Sequence, residues 1–169
     1  DRNQRMRSFV LTSAILLATT SPLAVAAKPG TAQPDGSRFV AGDLHAAASD
    51  AREPMTWQDA AAHCEALQAH GNEDWRLPDA RELALLHRHR AAIGGFPKTP
   101  DEELDTGNAL GYMTAQQNQA HGRLAYWSSA REGSQAQGLD FTTGTPFELA
   151  IEDTPLVSSR AVRCVRTAK

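Results

Sequence analysis

Two cysteines, six histidines, a serine pair and a cluster of arginines are the side chains of this chain with the most chemistry to offer. Cys64 and Cys164 each stand alone, with no second cysteine nearby, so neither has the spacing of a structural zinc site, which needs four ligands. An even cysteine count in an exported chain favours a disulfide over two free buried thiols. His87-Arg88-His89 places two imidazoles about 200° apart on a helix, too divergent to share one ion. His63 and His70, seven apart, could share a helix face, but Gly71 marks the fraying end of that helix. Ser128-Ser129 has the residue type of a nucleophile, yet no His-Asp arrangement is anchored to it. Serines on a strand that hydrogen-bond a neighbour are the simpler reading. Asn72-Glu73-Asp74 and Asp101-Glu102-Glu103 offer hard oxygen ligands of the kind calcium takes. Arg160, Arg163, Arg166 and Lys169 gather near the C-terminus, and Arg81, Arg88 and Arg90 on or beside a helix. Guanidinium forks suit carboxylate and sulfate groups, so Arg160, Arg163, Arg81 and Arg88 are the candidate ligand-binding residues. Solvation, or pairing with the acidic residues of the chain, is the alternative for each.

The 169 residues are enough for one domain of ordinary size. Residues 1–27 read as a secretory signal: Met6 and Arg7 precede an apolar run from Phe9 to Ala18, and Ala24-Val25-Ala26-Ala27 offers a cleavage site after Ala26 or Ala27. The run is shorter than the roughly 20 residues that span a bilayer, so no membrane span is expected after cleavage. Residues 28–36, rich in Pro, Gly, Thr and Gln, read as a flexible lead-in, and residues 37–169 as the domain. Removing residues 1–27 takes away three Arg and one Asp. That leaves 14 basic and 19 acidic residues and moves the net charge from −3 to −5. A balance of this sign excludes nucleic acid as the main partner.

These side chains need elements to hold them. Arg38-Phe39-Val40 is a short strand. Ala46 to Arg52 is alanine-rich and ambiguous. Thr56 caps a helix whose apolar positions Trp57, Ala60, Ala61, Cys64 and Leu67 share one face, so Cys64 points inward; His70-Gly71-Asn72 ends it. The run from Trp75 to Leu83 is the densest in structural information. Trp75 and Leu77 are core anchors on an extended arm, Pro78 bends the chain, and Asp79 with Glu82 forms a capping box for a second helix, Ala80 to His89. Leu83 and Leu86 face the core from that helix, and Arg76 either pairs with a core carboxylate or faces a ligand. Gly94-Gly95-Phe96-Pro97 closes the region, and Lys98 to Gly111, acidic and polar, reads as a surface loop. Short strands follow: Tyr126-Trp127-Ser128-Ser129, Gly138 to Phe141, Phe147 to Ile151 after the Thr143-Gly144 turn, and Ala161 to Arg166. On the last of these Val162, Cys164 and Arg166 share one face, Arg163 and Val165 the other. Two helices followed by several short strands make an α+β pattern, with the helices packed on a small, mostly antiparallel sheet.

Four motifs in this order carry a resemblance. Thr56-Trp57-Gln58-Asp59-Ala60 through Cys64, Trp75 to Leu83, Tyr126 to Ser129, and Val162 to Arg166 together resemble the DUF1566 family, also called the Lcl C-terminal domain, over roughly Met55 to Arg166. The resemblance implies a C-type-lectin-like fold distantly related to formylglycine-generating enzyme domains, closed by a bridge from the first-helix cysteine to the last strand. Trp57, Trp75, Arg76, Leu77, Pro78, Glu82, Leu83, Tyr126, Trp127 and Ser128 are then framework. A Thr-Gly-Leu-Met-Trp-like strand found in many members has no aromatic equivalent in Ala46 to Pro54. The late redox cysteine pair of the formylglycine enzymes is absent too, so catalysis and a cofactor are not expected. The sugar-binding motifs of calcium-dependent lectins do not occur in the domain; Gln33-Pro34-Asp35 matches one only in the lead-in.

The expected function is an exported, secreted or periplasmic bacterial recognition or adhesion module, binding a surface glycan or protein through loops between Lys98 and Gly122 and between the late strands. The family takes its name from a collagen-like adhesin associated with glycosaminoglycans, which implies acidic polysaccharide as one ligand. The alternative is a structural or accessory subunit of an envelope assembly such as a pilus, filament or secretion complex. A degenerate relative of the formylglycine enzymes with residual activity is the third reading.

Overall fold

The computed structural model describes residues 26–151 and 155–168. The segment read as a secretory signal therefore lies, up to residue 25, outside the described residues, as does Lys169. In chain order the elements are β1 (Arg38–Ala41), β2 (Leu44–Ala46), α1 (Trp57–Glu65), α2 (Ala80–Ile93), α3 (Pro100–Asp105), α4 (Ala109–Ala120), β3 (Ala125–Glu132), β4 (Gln135–Asp140), β5 (Thr145–Ala150), α5 (Pro155–Ser158) and β6 (Val165–Thr167). The strands form two antiparallel three-stranded sheets, ordered β1-β2-β6 and β3-β4-β5. The domain is α+β, with Cys64 of α1 bonded to Cys164 just before β6.

Several expectations change. The stretch from Lys98 to Gly111 is not a loop: it holds α3 and the start of α4. Its acidic composition hid a helix start, for Thr99 caps α3, Pro100 opens it, and Thr99 with Glu102 forms a capping box. Two helices thus become four of more than one turn among the described residues, and one sheet becomes two. The segment read as a lead-in is folded onto the domain. Gly30 and Phe39 exchange a backbone bond with their neighbours on the opposing chain (Gly30 N–H to Phe39 O, Phe39 N–H to Thr31 O), and Asp35 accepts from Ser37 and Asn72. Gly30, at φ +86°, lies so near the end of α2 that a Cβ there would fall 1.9 Å from the Ala92 carbonyl oxygen. At its C-terminal end α1 stops at Glu65. His70 and Gly71, at φ 57° and 72°, instead form the two-residue turn that pairs Ala69 with Asn72.

The Trp75 to Leu83 run joins the two halves of the core. Trp75 and Leu77 pack with Trp127, Val162 and the disulfide, while Leu83 packs with Leu86, Val40, Tyr126, Phe141 and Val165. Between them Asp79 caps α2, and the Glu82 carboxylate accepts from the Asp79 N–H. Arg76 resolves as a pairing residue: its guanidinium grips Glu82 with two bonds of 2.6 and 2.7 Å. The residues leading into β6 do not alternate in and out: Val162, Arg163, Cys164 and Val165 are all buried, with Ala47 and Ala51 hydrogen-bonded along one edge, Val162 and Cys164 in one half of the core and Val165 in the other.

The bridge closes a separation of 100 residues. Removing it as Cys64→Ala with Cys164→Ala should lower the unfolding free energy by about 2–5 kcal/mol, read from urea titration. An unchanged midpoint would show that packing alone closes the domain. A pH dependence follows from His87, whose ring stacks edge-on against Phe141 and whose Nε2 lies 3.3 Å from the Phe141 carbonyl oxygen. Burial, then the Arg90 charge, holds this imidazole below its ordinary 6.5. Protonation is therefore harder in the folded chain. The contribution of His87 is complete above its unfolded value and is lost as pH falls through the lower folded one. Melting temperature should decline from about pH 7 to about pH 5, and the decline should shrink in His87→Gln. Carboxylates held low, such as Glu102, act only at more acidic pH.

Candidate functional site

The arginines separate sharply once their surroundings are known. Arg163 is 0% exposed. Its Nε donates to Asp50 Oδ1 at 2.5 Å, Nη1 to the carbonyls of Ala47 (3.0 Å) and Gly94 (3.3 Å), and Nη2 to that of Gly95 (2.7 Å). Its guanidinium lies 3.9 Å from the centre of the Phe96 ring. Gly94 and Gly95 both take positive φ, and a Cβ on Gly95 would meet the Ala48 carbonyl oxygen at 2.6 Å, so glycine is what lets this loop turn its carbonyls onto the cation. The Tyr126 hydroxyl donates to the other Asp50 oxygen at 2.6 Å. Burial pushes the Asp50 carboxyl up, with Arg163 and Tyr126 acting the other way, and burial together with Asp50 pushes the Tyr126 hydroxyl far up. Arg163 is an internal ion, and an external ligand has no access to it.

Arg166 is likewise engaged, with Asp74 at 2.8 Å and Asp35 at 3.6 Å, and Arg90 with Glu102 at 2.7 Å. For Asp35, burial alone would raise the carboxyl. The Ser37 hydroxyl and N–H, Asn72 and Arg166 outweigh it and hold the group low. Arg81 and Arg88 are exposed on α2, and neither lines the groove that Arg160 reaches. Ser128 is buried, donating to the Gln137 carbonyl and accepting from the Ala130 N–H, as a strand serine does. Trp57 and Trp127 spend their indole N–H groups on the carbonyls of Ser128 and Met55. Among the described residues no group of three or more His, Cys, Asp or Glu is placed to hold a metal ion.

Arg160 does line a concavity. An open groove of about 980 Å³ runs between one face of the β3-β4-β5 sheet, the end of α4, and the chain around Glu53 and Ser159. Phe147 forms its floor. The ring lies over Gly138, where a Cβ would fall 2.3 Å from Phe147 Cζ, and is braced by Trp127 at 5.5 Å between ring centres. Arg160 stacks on Phe147 with its guanidinium 5.6 Å from the ring centre, and Nη1 donates to the Ser159 carbonyl. Burial lowers the Arg160 guanidinium and the Asp140 carboxylate opposes that shift; the group remains a cation. Arg123, next to the Gly122 that packs on Ser159 and Arg160, pairs with Glu53 and donates to the Arg52 carbonyl. His121 at the end of α4, with Thr143 and Thr145 at the β4–β5 turn, adds polar groups.

Of the four arginines singled out from sequence, the structure brings only Arg160 to the groove. Asp140, Phe147, Arg123 and Glu53 were not among the candidates, since nothing in their local patterns sets them apart. The two loop regions expected to carry recognition each send one end to this groove, through Gln119–Gly122 and Thr143–Thr145.

The fold is a disulfide-closed α+β domain that carries an open surface groove of mixed polar and apolar lining. The chain belongs to the Lcl C-terminal domain family, whose pattern it matches over residues 36–166. No curated protein matches it significantly.

Arg163→Met strands Asp50 in the core and should cost about 3–5 kcal/mol of stability. Arg160→Met, at the groove wall, should cost about 1 kcal/mol or less. Chemical denaturation of the two variants side by side tests the assignment, and equal costs would refute it.

Proposed function

We propose that the chain is an exported recognition module that binds a surface glycan in the Phe147 groove and does so without catalysis. The observation that carries this reading is the convergence of four separate segments on one apolar floor. The loop before α1 supplies Glu53, the end of α4 supplies His121 and Arg123, the β4–β5 region supplies Asp140 and Thr145, and the chain before β6 supplies Arg160. Planar carboxylate and guanidinium groups of both signs around an apolar surface suit a ligand that is rich in hydroxyls and has an apolar face. The groove has the size of a small-molecule or oligosaccharide site. A disulfide agrees with an extracytoplasmic setting. Among the described residues no helix is long and apolar enough to cross a membrane.

A second reading, an accessory subunit of a surface assembly, is favoured by the exposed apolar side chains of the α3–α4 hairpin. Screening on a glycan array tests the first. Binding should weaken at least about tenfold in Arg160→Met and Asp140→Asn, with the melting temperature little changed; tenfold corresponds to about 1.4 kcal/mol. An array without hits, or hits indifferent to both substitutions, would remove the groove from consideration.

A further inference from the structure

Given that the Phe147 groove holds a glycan, its charges narrow the class of glycan. Apart from His121, the ionisable side chains that line it among the described residues are the acids Glu53 and Asp140 and the bases Arg123 and Arg160. The two signs are matched. Arg123 meets Glu53 at 2.5 Å and donates a second time to the Arg52 carbonyl. Arg160 donates to the Ser159 carbonyl and lies over Phe147. Burial weakens its charge and the Asp140 carboxylate supports it. An acidic glycan is held by guanidinium groups in excess, whose forks close on its carboxylates or sulfates. In this groove both guanidiniums already donate to the protein, and two carboxylates would face the incoming anion.

The rest of the molecule acts in the same direction. Beyond residue 27 the chain has 19 acidic residues against 14 basic ones, so its overall field repels a polyanion. The arginines near the C-terminus do not add up to a basic patch. Arg163 is inside with Asp50, and Arg166 lies between Asp74 and Asp35. The groove is otherwise suited to hydroxyls. Thr143 and Thr145 both donate and accept, as a sugar hydroxyl does, and a hydroxyl can bridge a carboxylate and a guanidinium without upsetting their balance. Pro54, Pro146 and Pro155 add apolar edges whose φ is fixed in advance, which lowers the ordering cost of binding.

We propose that the groove selects uncharged glycans and rejects those bearing uronate, sulfate or sialate groups. The acidic polysaccharide that the family resemblance implies is then not the ligand of this site. The inference rests on the groove being the glycan site and adds the sign of charge that it accepts.

The probe is an array that carries uncharged glycans beside uronate-, sulfate- and sialate-bearing ones, read at about 50 and about 500 mM NaCl. Uncharged glycans are the expected hits, with apparent affinity changing less than about twofold between the two salts. Asp140→Asn keeps an oxygen acceptor for the Thr142 N–H but leaves the groove net positive. It should weaken these hits about tenfold, whereas an acidic ligand would bind it more tightly. Adding Glu53→Gln to it should create salt-sensitive binding of dextran sulfate, with plain dextran as the uncharged control. Hits confined to acidic or amine-bearing glycans, or strengthened by Asp140→Asn, would overturn the charge selection and leave the groove as the glycan site. A double variant that gains no dextran sulfate binding would overturn it too. An empty array, or hits indifferent to both Asp140→Asn and Arg160→Met, would remove the groove itself and the selection with it.

Discussion

A buried guanidinium is the constraint around which the domain is arranged. Arg163 lies inside the protein, and an ion out of water must be given a counter-charge and acceptors in fixed directions. Those come from two places in the chain: Asp50 and Ala47 before α1, and Gly94, Gly95 and the Phe96 ring after α2. Tyr126 of β3 then holds the second oxygen of Asp50. One side chain thereby orients the chain between β2 and α1, the loop leaving α2, and the first strand of the second sheet. Burial would favour an apolar residue at this position. The arginine contributes directionality, since only one arrangement of those loops satisfies its donors.

The neighbouring Cys164 gives the same short segment a covalent tie to α1, while Val162 and Val165 enter different halves of the core. The Trp75 to Leu83 run works from the opposite side, with Trp75 and Leu77 in the disulfide half and Leu83 in the half beneath α2. Arg76 and Glu82 lock the bend between them, and Glu82 also serves the start of α2. The frame is therefore stiff where its halves meet. The groove lies on the sheet face that also carries Trp127, at the edge of the disulfide half of the core, and the α3–α4 hairpin carries the most exposed large apolar side chains among the described residues.

Much of the frame was legible because its signals are local. The capping box at Asp79 and Glu82, the inward face of α1 and the inward Trp75 and Leu77 depend on spacing within one or two turns. The errors had physical causes as well. Thr99-Pro100-Asp101-Glu102 is a helix start, but α3 is one and a half turns long, too short to show a period amid acidic residues. Residues 28–36 have the composition of a linker and fold back through backbone bonds between Gly30, Thr31 and Phe39 and through Asp35, which meets Ser37, Asn72 and Arg166. Asp50 sat in an alanine-rich stretch with no periodicity to mark it. Arg163 and Arg160 were alike in sequence and opposite in environment, since a strand period tells which side a residue faces and not what covers that side.

The amino-acid sequence by itself determined the α+β class, the inward cysteine of α1, the two capped turns and the family pattern. Each follows from side-chain period, backbone restriction or residue count over short stretches. Only the tertiary structure decided which arginine is an internal ion and which lines a groove, and where Phe147, Asp140, Glu53 and Arg123 meet. Those outcomes depend on desolvation and on contacts between segments up to about a hundred residues apart, such as Arg163 with Asp50 across 113 positions. Burial and charge pairing are properties of the packed chain, and local spacing carries no record of them.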